Sequence, residues 1–236
     1  MQGEQKTRFG LTNNQLKIIA MITMVIDHVG EMLYPDIIIL KIIGRLSFPI
    51  FAYMIAEGCY YTRNRIKYLG IISVMGVVFQ LIYYCFMGSL YMGVLITFSL
   101  SIITIYAIDS LINKNNILRK ILALIGILIV LIISIVLPLT IKEQGYILDY
   151  TVLGVFLPVV IYYSKGKWLK LIVAFIALLL LAIYYGGIQY YSLISIVLLA
   201  LYNGQRGKAK LKYAFYVFYP LHLVIIYAIQ LAMNIN

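Results

Sequence analysis

Cysteine is scarce, with two in 236 residues, Cys59 and Cys85. They fall near the ends of the second and third long apolar runs. Antiparallel neighbours place those ends on opposite membrane faces, so no disulfide is expected and both read as free thiols packed in helices. No C-x-x-C pair, glycine-rich phosphate loop or nucleophile elbow occurs, so nothing points to zinc, nucleotide or serine-hydrolase chemistry. There is no low-complexity segment and no internal repeat, which disfavours the inverted-repeat transporter folds. The start, Met1 to Gly10, is polar and mildly basic, and no small-residue cleavage site follows the first apolar run. That run is therefore expected to stay as a span rather than be removed as a signal peptide. Charged side chains make up only 11% of the chain and histidine only two positions, so where they fall is informative.

What is abundant is apolar surface, at 64% of residues. Long apolar stretches recur from end to end and are continuous rather than alternating, as helical spans require and outer-membrane strands do not. The expectation is an all-α, polytopic transmembrane bundle forming one membrane domain over residues 1–236, with no separate soluble domain. Nine spans are read at about 13–34, 37–60, 67–86, 91–112, 118–139, 146–163, 168–186, 188–203 and 213–234.

Lysine and arginine cluster at the start (Lys6, Arg8) and in every other connection: Arg63, Arg65 and Lys67, then Lys114, Arg119 and Lys120, then Lys165, Lys167 and Lys170, then Arg206, Lys208, Lys210 and Lys212; the connections between hold only Lys41 and Lys142, the latter offset by Glu143. The positive-inside rule then puts the N-terminus in the cytoplasm and the C-terminus outside, with an odd number of spans. The net charge of +11 is spread over these short clusters, which fits topology and not nucleic-acid binding. The 22 tyrosines pair at span ends, at 60–61, 83–84, 162–163, 184–185 and 190–191, where amphipathic rings anchor a helix at the headgroups of membrane lipids.

The chain is organised around the stretch KIIAMITMVIDHVG, Lys17 to Gly30. An acid and an imidazole inside a spanning helix are costly and mark a functional site. Both histidines lie inside spans, as do Asp27, Arg45 and Glu57, with Asp149 near the outer end of the sixth span. The topology puts Asp27, His28 and Arg45 at one level in the outer half, His222 somewhat below, and Glu57 near the cytoplasmic end. Asp27 and His28 point about 100° apart on a helix, so Asp27 is expected to pair with Arg45 and not with its neighbour. In GRLSFPIFAYMIAEG, Pro49 frees the carbonyl of Arg45 and opens that turn, and Ala52-x-x-x-Ala56 lets another helix approach closely. Pro220 repeats the device beside His222. A purely structural role for these groups is equally open on residue type alone. A metal site from His28, His222 and Asp27 has no spacing signature, and no metal is expected.

At these residues the sequence resembles the TraX family of integral membrane proteins, named for the F-pilin acetylase. The stretches that carry the resemblance are MITMVIDHVGEMLYP (21–35), GRLSFPIFAYMIAEGCYYTRNRIKYL (44–69), ALYNGQRG (200–207) and FYVFYPLHLVIIY (215–227). TraX in turn resembles the wider multi-pass membrane acyltransferases, which carry a basic residue, ten intervening residues and a histidine on their first conserved span. Lys17 and His28 have that spacing, close to three helical turns, so both lie on one face. Arg is the commoner residue at the basic position, and Lys offers a point charge in place of a bidentate fork.

The resemblance implies acetyl-CoA as cytoplasmic acyl donor and an acceptor amine or hydroxyl at or beyond the outer face, on a peptide or protein, a glycan or a lipid. Such a transfer needs a base, a charge facing the oxyanion, and a track for the donor. His28 is the expected base, with Asp27, Glu57, Arg45 and His222 as further catalytic candidates; Arg45 or His222 would face the oxyanion. Lys17, Arg63, Arg65, Lys67, Arg206 and Lys208 are candidates for the donor phosphates. The turn Asn203-Gly204-Gln205-Arg206-Gly207 suits a close backbone approach to an anion. The competing classes are a small-molecule or proton-coupled transporter that uses the same buried charges, and a structural membrane protein without turnover.

Overall fold

The computed structural model describes residues 9–113, 116–207 and 212–233. Apart from two strands of two residues each, every regular element is helical. The described chain forms two compact units, Met1–Phe51 with Tyr191–Asn236, and Ala52–Tyr190.

In the first unit, α1 (Asn13–Met32) starts at a reciprocal cap: the Thr12 hydroxyl accepts from the Gln15 N–H at 3.3 Å, and the Gln15 side-chain oxygen accepts from the Thr12 N–H at 2.8 Å. Two more of its first amides, Asn13 and Asn14, donate to the carbonyls of Gln205 and Arg206 at 2.8 and 3.2 Å. Leu11 and Asn203 complete the join, with Leu11 donating to the Leu201 carbonyl and Asn203 to the Leu11 carbonyl. The end of α10 (Ser195–Ala200) and the loop after it thereby satisfy the orphan donors of α1. α1 packs against α2 (Ile38–Gly44) and α11 (Lys212–Ala232). The α1–α2 crossing is close because Gly30 and Gly44 carry no side chain: a Cβ at Gly30 would meet that of Leu40, and one at Gly44 would meet the Asp27 carboxyl.

The second expected span is not one kinked helix. It breaks at Arg45–Leu46 into α2 and α3 (Ser47–Tyr61), and Pro49 sits in the first turn of α3, where a missing N–H costs little. The two pieces together, Ile38–Tyr61, still make a 24-residue apolar stretch.

The second unit is built on α5 (Val94–Asn113), which packs against α4 (Arg65–Met87), α6 (Ile117–Leu131) and α8 (Thr151–Tyr163). α5 can be central because Thr97, Ser99, Ser101 and Thr104 are small and return their hydroxyls to backbone carbonyls. Ser101 also donates to the Val155 carbonyl of α8 at 2.8 Å. α6 continues through a π turn, Ile132–Val136, into α7 (Leu137–Thr140), just before Pro138 removes a helix donor. α9 (Lys167–Tyr185) covers α8. A parallel pair of strands, β1 (Tyr91–Met92) and β2 (Ile147–Leu148), ties two connections together.

Among the described residues, five stretches are long and apolar enough to cross a membrane: Ile38–Tyr61, Arg65–Cys85, Val94–Ile112, Ile117–Thr140 and Lys167–Tyr185. Thr151–Tyr163, Gly187–Ala200 and Val217–Ala232 are shorter apolar helices. α1 has 20 residues but carries Lys17, Asp27, Glu31 and an amide-rich start, which keep it out of the five. Two expected spans differ at their starts. Residues 146–150 enter β2 and a left-handed turn at Tyr150 instead of a helix. The segment after Gly186 opens as a 3₁₀ helix, Gly187–Ile194, because the positive φ of Gly186 and Gly187 separates it from α9. Cys59 is buried, Cys85 is exposed, and both are free thiols.

Candidate functional site

Helical geometry separates the two functional side chains of α1. Asp27 turns toward α2, where Arg45 Nη2 donates to both its oxygens at 2.7 and 2.9 Å. Arg45 can face α1 because it occupies the break between α2 and α3, with its Nε held 3.4 Å from the Lys41 carbonyl. The pair is mostly buried, with 22% of the arginine side chain and 12% of the aspartate side chain exposed. Two charges this far from water persist because each neutralises the other.

His28 turns to α11 and meets His222. The ring centroids are 5.1 Å apart, and His222 Nε2 lies 3.2 Å from His28 Nδ1. Each ring also places Nδ1 on the carbonyl four residues earlier in its own helix: His28 on Met24 at 2.9 Å, His222 on Phe218 at 2.8 Å. His222 is buried, stacked on the Phe218 ring at 4.8 Å and edged by Tyr219. His28 is half-buried. The sequence placed His222 near the depth of His28 and somewhat below it; the two rings are in contact. Pro220 lies two residues before His222, inside α11.

At the start of α1, Lys17 and Arg206 stand close enough to repel one another. Arg206 is exposed and makes no salt bridge among the described residues. Asn203 donates its side-chain amide to the Gly10 carbonyl at 3.1 Å and accepts from the Gln205 N–H at 2.9 Å, which shapes the turn. Gly204 and Gly207 both have positive φ, so the turn needs glycine at these two places. Lys208 lies outside the described residues.

The remaining candidates belong to the second unit, where Glu57 and Arg65 are committed to partners, while Arg63 and Lys67 are exposed. Glu57 accepts from Lys170 Nζ at 2.6 Å, and that ammonium lies over the rings of Tyr53 and Tyr60. Arg65 pairs with Asp109 at 2.7 Å and lies over the Tyr106 ring at 5.0 Å. Tyr162 and Tyr163 donate to the two oxygens of the same carboxylate, each at 2.9 Å. This tyrosine pair therefore does more than anchor a helix end. Arg63 is exposed in the α3–α4 connection. The Arg65–Asp109 network and Lys170 as the partner of Glu57 were not anticipated. The signal was present, since Asp109 is the only acid in its apolar run and an intramembrane acid needs partners. Asp27 is taken up by Arg45 and adds no carboxylate to the histidines. Among the described residues, no three His, Cys, Asp or Glu come together.

Several long apolar helices and polar pairs held between them define a multi-pass helical membrane protein. The chain belongs to the TraX protein family, whose model matches residues 12–230. Two curated relatives share shorter segments with it. A probable fimbrial assembly protein of Dichelobacter nodosus serogroup H1 is 37% identical over 73 residues, 29% of this chain and 30% of that protein. An uncharacterized protein of Rickettsia prowazekii is 42% identical over 64 residues, 26% of each. The matched segments thus span less than a third of either relative. No solved structure matches.

Proposed function

We propose that this protein is a membrane-embedded acyltransferase with nine spans in a bacterial inner membrane, its N-terminus cytoplasmic and its C-terminus outside. It moves an acetyl group from acetyl-CoA on the cytoplasmic side to an amine or hydroxyl at or beyond the outer face. The observation that carries this reading is the direct meeting of the chain's two histidines, from α1 and α11, beside the Asp27–Arg45 pair. Membership of the TraX family, named for an acetylase, supports it.

In this reading the acceptor N–H or O–H loses its proton to the histidine pair as its lone pair attacks the thioester carbon. The C–S bond then breaks and the thiolate takes the proton back, so the products are acylated acceptor and free thiol. The Asp27–Arg45 pair holds α1 against α2 and sets a fixed dipole near the reacting carbonyl. The donor phosphates fit the Lys17–Arg206 end of the same helix, where two cations stand side by side. The first amides of α1 are spent on the Gln205 and Arg206 carbonyls, so side chains and not the helix terminus would hold the phosphates. Arg65 is engaged with Asp109, and Lys17, Arg206 and the Asn203 turn of the first unit are the donor contacts of this reading. The name of the Dichelobacter relative, a fimbrial assembly protein, favours a pilus-type protein subunit as acceptor over a glycan or lipid.

The test is thiol release from labelled acetyl-CoA by detergent-purified protein, with and without membrane extract as acceptor source. Acceptor-dependent release, with label moving to an extract component, is the expected result. Folded protein that neither binds nor consumes acetyl-CoA would overturn the reading and put a transporter first.

A further inference from the structure

The geometry at the histidine pair assigns the reacting atom. We infer that His28 acts through Nε2, as the Nδ1–H tautomer, and that His222 is a positioning residue whose Nε2 lone pair accepts the Nδ1–H of His28. The inference deepens the acyltransferase reading and rests on it for the chemistry, but not for the geometry.

Two backbone carbonyls fix where the protons sit. The Phe218 carbonyl, 2.8 Å from His222 Nδ1, can only accept, so His222 carries its proton on Nδ1. A neutral His222 then presents a bare lone pair at Nε2, and that atom lies 3.2 Å from His28 Nδ1. His28 Nδ1 faces a second pure acceptor as well, the Met24 carbonyl at 2.9 Å. With two acceptors aimed at it, His28 Nδ1 must hold the hydrogen, shared between them. Neutral His28 therefore carries its lone pair on Nε2. Among the described residues, Nε2 of His28 makes no hydrogen bond.

The consequence for catalysis is a division of labour. When Nε2 takes the acceptor's proton, the new positive charge spreads over a ring whose Nδ1–H already points at the His222 lone pair. That lone pair stabilises the imidazolium at the moment it forms. The His222 ring is itself clamped by stacking on Phe218 and by burial, so it needs no rearrangement when the proton arrives. Nothing is transferred to His222; the proton goes from acceptor to His28 Nε2 and then to the departing thiolate.

The direct test uses protein with ¹⁵N-labelled histidine, purified in detergent with a tag that contains none. Only two imidazoles then appear, and the nitrogen shifts identify each tautomer. His28 is expected as Nδ1–H, with an N–N coupling across the hydrogen bond to His222 Nε2. His28 as the Nε2–H tautomer, or with no coupling to His222, would overturn the inference whatever the activity. The kinetic arm compares His222→Phe, which keeps the ring and its packing, with His222→Gln, which returns an acceptor oxygen near the place of Nε2. His222→Phe should lower kcat for thiol release about tenfold to a hundredfold with KM for acetyl-CoA unchanged, the range for partners that orient a histidine. His222→Gln should recover most of that loss. Equal activity of a folded Phe variant and wild type would also overturn it. The expected nitrogen spectrum in a protein that never consumes acetyl-CoA would instead overturn the acyltransferase reading and leave the hydrogen-bond assignment intact.

Discussion

The two units hold buried polar groups of opposite character. In the second, the buried carboxylates are closed off: Asp109 accepts from Arg65, Tyr162 and Tyr163, and Glu57 is bonded to Lys170. In the first, the Asp27–Arg45 pair is closed in the same way, but the histidines beside it are not. Their bonded nitrogens are used up in orientation, and His28 keeps a ring nitrogen that bonds to nothing among the described residues. The difference separates polar groups that hold helices together from polar groups held in place to react. Burial alone does not distinguish them, since Glu57 and His222 are equally buried at 5% exposure. Between the carboxylates and the histidines, the distinction is whether the charged or titratable group has all its partners.

The sharpest way to break this comparison is His28→Ala. Loss of a positioned general base should lower acetyl-CoA turnover by about 10²- to 10⁴-fold while the thermal melt stays near wild type. Next comes Gly44→Ala, which drives a methyl group into the Asp27 carboxyl and forces α1 and α2 apart. It should cost about 1–3 kcal/mol of stability, the range for overpacking, and should lower turnover as well; a thermal melt and the thiol assay read both. In the closed unit, Tyr163→Phe removes one donor to Asp109 and should cost about 1 kcal/mol in the melt with turnover per folded molecule unchanged. The smallest effect is expected from Arg206→Ala. It should raise the KM for acetyl-CoA by about twofold to fivefold at low salt, leave kcat alone, and fade as salt is added.

Much of the first unit was legible because each of its signals was local or rested on depth. The first span reads from about residue 13, where α1 begins, and the roughly 100° between Asp27 and His28 predicted that they would serve different partners. Pairing of Asp27 with Arg45 followed from sign and level. The break at Arg45–Leu46 lies where Pro49 frees a carbonyl four residues back, yet the sequence suggested a kink, since nothing local decides whether an opened turn recovers its helix. The second unit was less legible. Arg65, Asp109 and Tyr162 are joined across three helices and 97 residues, and the tyrosines already had a sufficient explanation as headgroup anchors. The two-residue strands and the 3₁₀ start at Gly187 depend on tertiary neighbours and leave no periodic trace. Which nitrogen of each histidine faces the other is a matter of ring rotation inside a packed site, and no spacing encodes it.

The most direct measurement is thiol release from acetyl-CoA per folded molecule, with His28→Ala and Tyr163→Phe assayed beside wild type and each melted in parallel. The account predicts that His28→Ala loses turnover and keeps its melting temperature, while Tyr163→Phe keeps turnover and melts lower. Full turnover in a folded His28→Ala protein would contradict it.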